Sequence, residues 1–356
     1  MSLAVPGSFL LTVCQVGAER ALKAEVGRLA PDLRPAFGRP GLVTFKATAG
    51  EVGPGYELQS IFARAFAAAL GPAADVAGAL ALAGAARAGG RLVLHVFERD
   101  VARPGEEPSG HVEGAAAVRA ELLAAGADLL LQTERPPAGG HVLDVVVAPG
   151  EPLFVGHHRH STLHSPFPCG RIPVVVPAEA PSRAFRKLEE ALAWSGAPLR
   201  RGDVAVEIGS APGGASHALL RRGLEVWGVD PGAMAEVVLA SPRFHHVRLP
   251  VGEVGREQLP PRADWVLLDV NLAPQVALHA VRGVVAALRP SLRGALFTLK
   301  LNDWAMAAQL PDLLRRIEGM GLVGVRATQL PSNRQEVFAF ASGPRGDRSD
   351  KRTSRG

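Results

Sequence analysis

Cysteine is nearly absent from this chain, which has two in 356 residues, Cys14 and Cys169. They form no C-x-x-C pair and no metal-ligand spacing, so a disulfide framework and a cysteine zinc site are excluded, and a reducing compartment fits. Aromatic residues are scarce as well, at 5% with a single tyrosine. The cores must therefore be built from alanine, leucine and valine, and 47% hydrophobic residues supply enough of them. Long apolar runs are missing. The stretch Phe9 to Val13 is too short for a leader or a membrane span, and no basic segment precedes it. The alanine-rich run from Ala63 to Ala88 is broken by Arg64, Gly71, Pro72, Asp75, Gly78, Gly84 and Arg87. It reads as helices of a soluble domain, so a cytoplasmic location with no membrane contact is expected.

An acidic excess is also lacking. The formal net charge is +5 and the sequence pI about 9.7, which permits a polyanionic partner without requiring one. From Arg345 to the end, five basic residues face two acids, so the last stretch carries three of those five charges. Such a tail is either a solvated end or an arm on RNA. The length fits two or three domains.

The N-terminal part opens with a strand-like run, Phe9 to Val13, a helix-like run, Ala18 to Leu29, and a strand from Leu42 to Lys46. Residues 57–88 read as helical. A strand from Arg91 to Phe97, a helix from Ala115 to Ala125 and a strand from His141 to Ala148 follow, an alternation that implies a second α/β module. Residues 156–182 hold four histidines and then prolines 166, 168, 173, 177 and 181, which reads as an extended linker. Ser182 is placed to cap a helix from Arg183 to Trp194. Beyond Asp203 strands and helices alternate regularly. Strands are expected at 203–208, 225–229, 245–249, 265–269, 294–299, 322–329 and 336–341, with helices at 216–222, 275–288 and 304–320. The last two strands lie close together, which favours an antiparallel strand at the sheet edge.

The stretch Glu207-Ile208-Gly209-Ser210-Ala211-Pro212-Gly213-Gly214 joins a strand to a helix, and the next strand ends at Asp230. Glycine lets backbone N–H groups approach a ligand closely, and an acid at that strand tip suits ribose hydroxyls. Pro212 and the paired glycines break the dinucleotide spacing G-x-G-x-x-G. Four charged residues fall where an open parallel sheet gathers ligands: Lys187 on the helix before the first strand, Asp269 and Lys300 at strand ends, and Glu336 opening the last strand. Singly, each has an ordinary reading as a turn former, a solvated terminus or an edge charge. Their order and the glycine loop together point to a site.

The loop resembles the Ala-Pro-Gly-Gly methyl-donor loop of S-adenosylmethionine-dependent RNA ribose methyltransferases. The order Lys187, Asp269, Lys300, Glu336 resembles the tetrad of the FtsJ-like ribose 2′-O-methyltransferases. More narrowly, the chain is similar to the RlmM family of bacterial large-subunit (23S) ribosomal RNA cytidine methyltransferases. The stretches Ser165-Pro166-Phe167-Pro168, Ala180-Pro181-Ser182-Arg183, Gly228-Val229-Asp230-Pro231-Gly232 and Thr298-Leu299-Lys300-Leu301 carry that likeness, with weaker matches at Cys14 to Glu19 and Ile61 to Arg64.

The resemblance implies an α/β chain ending in a Rossmann-like class I methyltransferase domain, a mostly parallel sheet with an antiparallel edge strand. It implies a ferredoxin-like piece over 1–50, a THUMP-like RNA-binding module over 51–165, a proline-rich linker over 166–181, the methyltransferase domain over 182–343 and a basic tail over 344–356. Lys187, Asp269, Lys300 and Glu336 would be catalytic, with Lys300 the proton acceptor. Ser182, Gly209, Ala211, Pro212, Gly213, Gly214, Asp230 and Asp269 would line the pocket for S-adenosylmethionine and its product S-adenosylhomocysteine.

A ribose hydroxyl is a weak nucleophile, so an ammonium that favours its ionised form, or an amine that takes its proton, is the chemistry such a set supplies. The expected partner is ribosomal RNA, naked or in an assembly intermediate, and a monomer is expected. Two positions depart from the family pattern. Ala211 stands where cysteine is common, and Arg248 to Gly252 lacks the acid that meets the donor's adenine, leaving backbone groups or Glu253. That missing acid motivates a competing reading, a non-catalytic RNA-binding or assembly protein with a relic pocket; transfer RNA is a further alternative target.

Histidines 157, 158, 160 and 164 suggest a metal, but no cysteine or carboxylate completes the spacing, so no metal is expected and an RNA-facing loop is favoured. His245 and His246 are read as part of a strand, and Trp194, Trp227, Trp265 and Trp304 as packing residues.

Overall fold

The computed structural model describes residues 7–86, 90–99 and 112–344. The basic tail from Arg345 lies outside them. The chain divides into two compact units, Met1–Arg171 and Ile172–Gly356.

The first unit contains β1 (Phe9–Val13), α1 (Glu19–Leu29), β2 (Leu33–Arg39), β3 (Leu42–Ala47), β4 (Ala65–Ala73), α2 (Val76–Ala86), β5 (Leu92–Glu98), α3 (Val112–Ala125), β6 (Leu130–Leu131), β7 (His141–Val147) and β8 (Leu153–Arg159). Its eight strands form one sheet in the order β2-β3-β1-β4-β8-β7-β5-β6. The first β-α-β block therefore continues, through the β1–β4 pairing, into the strands that follow it.

Two expectations are corrected here. Residues 57–88 are not helical throughout, because Ala65–Ala73 is β4. Alanine favours helix locally, but β1 and β8 pair with this segment on both sides, and that pairing overrides propensity. Nor does an extended linker begin at residue 156. Strand β8 runs through Arg159, hydrogen-bonded to β4 and β7, with His157 and His158 buried. The boundary between units falls at 171/172, inside the expected linker.

The second unit contains α4 (Ala184–Ser195), β9 (Val204–Ile208), α5 (Gly214–Arg221), β10 (Glu225–Val229), α6 (Glu236–Leu239), β11 (Phe244–Val247), β12 (Trp265–Leu268), α7 (Pro274–Leu288), β13 (Gly294–Lys300), α8 (Leu310–Glu318), β14 (Val323–Thr328) and β15 (Glu336–Ser342). The sheet order is β11-β10-β9-β12-β13-β15-β14. β11, β10, β9, β12 and β13 pair in parallel, whereas β15 runs antiparallel to both β13 and β14. This is the Rossmann-like class I arrangement, with one difference from expectation. The reversed strand is β15, one position in from the edge, and β14 is the edge strand. The short Leu330–Gln335 turn places β15 beside β13, where its apolar residues are buried on both faces.

Strands β9 and β12 are buried along their whole length, as central parallel strands must be. Phe185, Leu188 and Leu192 of α4 and Ala218 and Leu219 of α5 share a core with Trp265, Leu296 and Phe338 of the sheet. Helix α7 buries Ala277, Leu278, Val281, Val284, Val285 and Leu288 at helical spacing. Of the four tryptophans, Trp265 is fully buried and Trp194 packs edge-on to Phe338. His245 and His246 lie in β11, as the sequence reading has it.

Candidate active site

Sheet order alone gathers the four charged residues. Asp269 follows β12, Lys300 ends the neighbouring β13, and Glu336 opens β15 in direct register with Lys300. Helix α4 carries Lys187 to the same end. The four side chains close into an alternating ring. Lys187 Nζ lies 2.9 Å from Asp269 Oδ2 and 2.7 Å from Glu336 Oε1. Lys300 Nζ lies 3.1 Å from Asp269 Oδ1 and 2.6 Å from Glu336 Oε2. Each carboxylate oxygen thus takes one ammonium, and the ring is neutral overall.

The ring is partly shielded, with side-chain exposures from 8% at Glu336 to 24% at Asp269. That shielding keeps the dielectric low enough for the charges to couple. Burial pushes the Asp269 carboxyl up, but the Lys187 and Lys300 ammonium groups outweigh it and hold it below its ordinary value. Burial likewise pushes Lys300 down, and the Asp269 and Glu336 carboxylates more than reverse this, so it is held as an ammonium above its ordinary value.

Supports that the sequence reading missed hold Glu336 in place. Asn333 Nδ2 donates to Glu336 Oε1 at 3.2 Å, and Asn333 Oδ1 accepts from the Leu330 N–H at 2.8 Å. Buried Glu190 on α4 accepts from the Ser332 N–H and hydroxyl at 2.9 and 2.6 Å. The turn before β15 is thereby tied to the helix that carries Lys187. The signal was the polar run Ser332-Asn333-Arg334-Gln335, which sequence alone gives no reason to pair with Glu190.

The glycine loop runs from the end of β9 into α5. Gly209 has φ +85°, and a Cβ there would stand 2.3 Å from the Asp269 carbonyl oxygen. A Cβ at Gly214 would stand 2.3 Å from Ser182 Oγ. These two glycines let the loop pass against the β12 terminus and the start of α4, which draws Ser182, the loop and Asp269 together. Gly213 precedes α5 at φ +112°. The peptide between Ala211 and Pro212 is cis. Asp230 fastens the loop: its Oδ2 accepts from the Ala211 N–H at 3.1 Å and its Oδ1 from the Gly232 N–H at 2.7 Å. One lone pair on each oxygen is left over for a ligand hydroxyl. Ser182 Oγ accepts from the Ala184 N–H at 3.3 Å, but the cap position of α4 falls one residue later than expected, at Arg183, which makes no side-chain cap. Glu253 lies in an exposed single turn, Val251–Glu253.

Glu207 was not singled out in the sequence. It stands on β9 beneath the loop, almost fully buried, and accepts from the Ser216 hydroxyl at 2.5 Å. Burial raises its carboxyl to about 8; the Ser216 hydrogen bond opposes this, and the Asp269 and Asp230 charges add to it. It therefore sits protonated at neutral pH.

In the first unit the histidines cluster around Asp144, whose carboxylate meets His158 Nδ1. His141 and His157 approach at 2.9 Å. The rings of His158 and His164 stack 4.1 Å apart at 5°, so their in-plane nitrogens run parallel and do not converge on one ion. Among the described residues no group of histidine, cysteine or acid could hold a metal. Burial lowers His157 to about 4 and His164 to about 3, with neighbouring histidine charge adding to the effect.

Residues 180–302 match the model of the FtsJ-like methyltransferases. The Ribosomal RNA large subunit methyltransferase M of Alkalilimnicola ehrlichii is 35% identical over 189 residues, half of this chain and half of that protein. The protein of the same name from Sodalis glossinidius is 32% identical over 241 residues, 64% of this chain and 61% of that one. The chain spans about half the length of the curated relatives it matches. Among solved structures, a 1,6-didemethyltoxoflavin-N1-methyltransferase from Burkholderia thailandensis is 17% identical with a TM-score of 0.33, covering 49% of this chain and 92% of its own. No described helix is long and apolar enough to cross a membrane.

Proposed function

The second unit carries an FtsJ-like methyltransferase domain, and from that premise we propose that the chain methylates a ribose 2′-hydroxyl, that of a cytidine, in large-subunit ribosomal RNA. The observation that supports this most is the closed ring of Lys187, Asp269, Lys300 and Glu336 beside the loop that runs from Gly209 to Gly214.

The donor in this reading is S-adenosylmethionine. The loop, Ser182, Asp230 and the Asp269 end of β12 would hold it, and they fit. The glycines allow close backbone approach, α5 starts at the loop, and Asp230 keeps lone pairs for the ribose. When bound, the donor supplies a methyl group on a sulfonium, already a good leaving group. The protein's task is then positioning and proton management. Asp269 and Glu336 hold the two ammonium groups in place, and the substrate hydroxyl sits against Lys300. The hydroxyl proton would pass to Lys300 Nζ, which must first have released its own to solvent, while the methyl group would leave the donor's sulfur for the ribose oxygen. Lys187, the second amine of the ring, would stand beside the developing alkoxide and stabilise it.

The first unit, in this reading, selects the RNA. Its residues 1–50 correspond to a ferredoxin-like piece and 51–165 to a THUMP-like module, acting on naked RNA or a partly assembled particle. Incubation of the purified protein with labelled donor and unmodified large-subunit RNA tests the proposal. Label recovered on ribose of a cytidine supports it; label on a base, or none, contradicts it.

A further inference from the structure

A carboxyl with no part in the chemistry above lies directly beneath the glycine loop. Glu207 stands on β9 two residues before Gly209, and only 2% of it is exposed. In register beside it are Gly228 of β10 and Leu267 of β12, so neither neighbouring strand offers it a polar side chain. Among the described residues its carboxyl has one hydrogen-bond partner, the Ser216 hydroxyl of α5, at 2.5 Å.

The charged groups around it do not neutralise it. Asp230 at the end of β10 and Asp269 at the end of β12 act on it by repulsion. Lys187 of α4 lines the same small cavity as Glu207, Thr298 and Asn333, but its ammonium is held by Asp269 and Glu336. Lys300 of β13 is likewise taken by Asp269 and Glu336. His217, next to Ser216 on α5, lies near Phe185 and Glu179 instead. A shielded carboxyl with one hydroxyl partner and two carboxylate neighbours keeps its proton, and its value stands at about 8.

What the position lacks is a cation, and the donor in the reading above brings one. Its sulfonium carries a fixed positive charge, while its α-ammonium and carboxylate offset each other. The product keeps that second pair and has a neutral thioether. Donor and product thus differ by one charge at one atom.

We propose that Glu207 is the counter-charge for the donor's sulfonium: neutral in the empty pocket, it releases its proton to solvent when a cationic donor occupies the loop, and takes one back when the neutral product is left there. The inference rests on the donor-binding reading above and adds to it a residue that tells donor from product. In the transfer the methyl–sulfur bond breaks and its electron pair stays on sulfur, so the charge that kept Glu207 ionised disappears. The proton released on binding and the proton regained afterwards balance. Neither is the ribose hydroxyl proton, which leaves by way of Lys300. Glu207 acts by charge alone, which reaches further in a shielded site than in water.

The test is calorimetric titration of the full chain, without RNA, in two buffers of unlike ionisation enthalpy at pH 7, where Glu207 is roughly nine-tenths protonated before binding. S-adenosylmethionine and S-adenosylhomocysteine are titrated separately into the wild type and into Glu207→Gln, which keeps an acceptor for Ser216 and has no proton to give. The ligand's own amine contributes alike to both proteins and cancels. The wild type should release about half a proton or more beyond Glu207→Gln with the methionine ligand, and close to none beyond it with the homocysteine ligand. Relative to Glu207→Gln, wild-type affinity for the methionine ligand should rise up to about tenfold from pH 6.5 to 8 and level off above, because Glu207 is then ionised before binding. Ser216→Ala removes a hydrogen bond that favours the carboxylate, so this rise should move to higher pH. Thermal melting reports on folding; should Glu207→Gln fail to fold, the contrast between the two ligands in the wild type and the upward move in Ser216→Ala decide the matter. Binding of the methionine ligand without extra proton release, or equal extra release with both ligands, would overturn the proposal and leave the donor reading standing. No binding of either ligand would overturn that reading and this inference with it.

Discussion

Replacing Lys300 tests the chemistry most sharply, because two substitutions separate charge from proton transfer. Lys300→Met keeps the length of the side chain and removes both its contacts, to Asp269 at 3.1 Å and Glu336 at 2.6 Å. The two carboxylates are then left with Lys187 alone. Breaking a fully buried ion pair costs about 3–5 kcal/mol, and at 22% exposure a smaller loss of about 1–3 kcal/mol is expected. Lys300→Arg keeps the charge, so its stability should fall within about 1 kcal/mol of the parent. Catalysis should respond differently. A guanidinium is not deprotonated in proteins and cannot accept the hydroxyl proton. Both variants should therefore lose about 10²- to 10⁴-fold in rate, the usual worth of a positioned base. The assay is single-turnover transfer of a labelled methyl group with enzyme in excess over RNA, and calorimetric titration of the donor checks that its pocket survives. A Lys300→Arg rate within tenfold of the parent would refute proton transfer to Lys300 and leave it as a fixed positive charge.

The same reasoning fixes a pH dependence. The ring carboxylates raise Lys300 above its ordinary value of 10.5, so the neutral amine becomes commoner only as pH rises; the single-turnover rate should climb about tenfold per unit from pH 6.5 to 9, and a flat profile would refute it. Gly209→Ala places a Cβ 2.3 Å from the Asp269 carbonyl at φ +85°, so denaturant unfolding should show a loss of about 2 kcal/mol or more, with donor binding impaired. Glu207 keeps its proton in the folded state up to about 8, so it withdraws stability as pH climbs from its unfolded value near 4.5; Glu207→Gln should flatten the decline seen in unfolding experiments between pH 5.5 and 8.5. His157 carries the opposite sense: its folded value is about 4 against 6.5 unfolded, so its contribution is complete above pH 6.5 and is lost as pH falls towards 4. That loss is about 3 kcal/mol, and melting of the first unit should weaken over this window while Asp269, whose carboxyl is depressed, still supports the second.

Much of the second unit was legible because its signals agree across levels. Short apolar runs such as Trp265–Leu268 end in turn residues, and helices of the right length lie between them. The tetrad was legible as residues at strand ends, since the sheet order converts those positions into neighbours. The direct register of Lys300 and Glu336 was not, because it depends on β15 reversing between β13 and β14. In the first unit, β4 was hidden by alanines whose local preference is helical, and β8 by its Gly156-His157-His158-Arg159 run, which carries no strand periodicity. Both are strands only because partners distant in sequence flank them. The protonated Glu207 and the Glu190–Ser332 tie were out of reach for the same reason: burial and long-range pairing leave no trace in local composition.

The central claim is that a methyl donor sits in the Gly209–Gly214 loop facing the four-residue ring. A crystal structure of the protein with S-adenosylhomocysteine tests it most directly. The account predicts the sulfur pointing at Lys300 and Asp269 across a gap one ribose wide, with the donor's ribose on Asp230. A ligand bound elsewhere, or with its sulfur turned away from the ring, would contradict it.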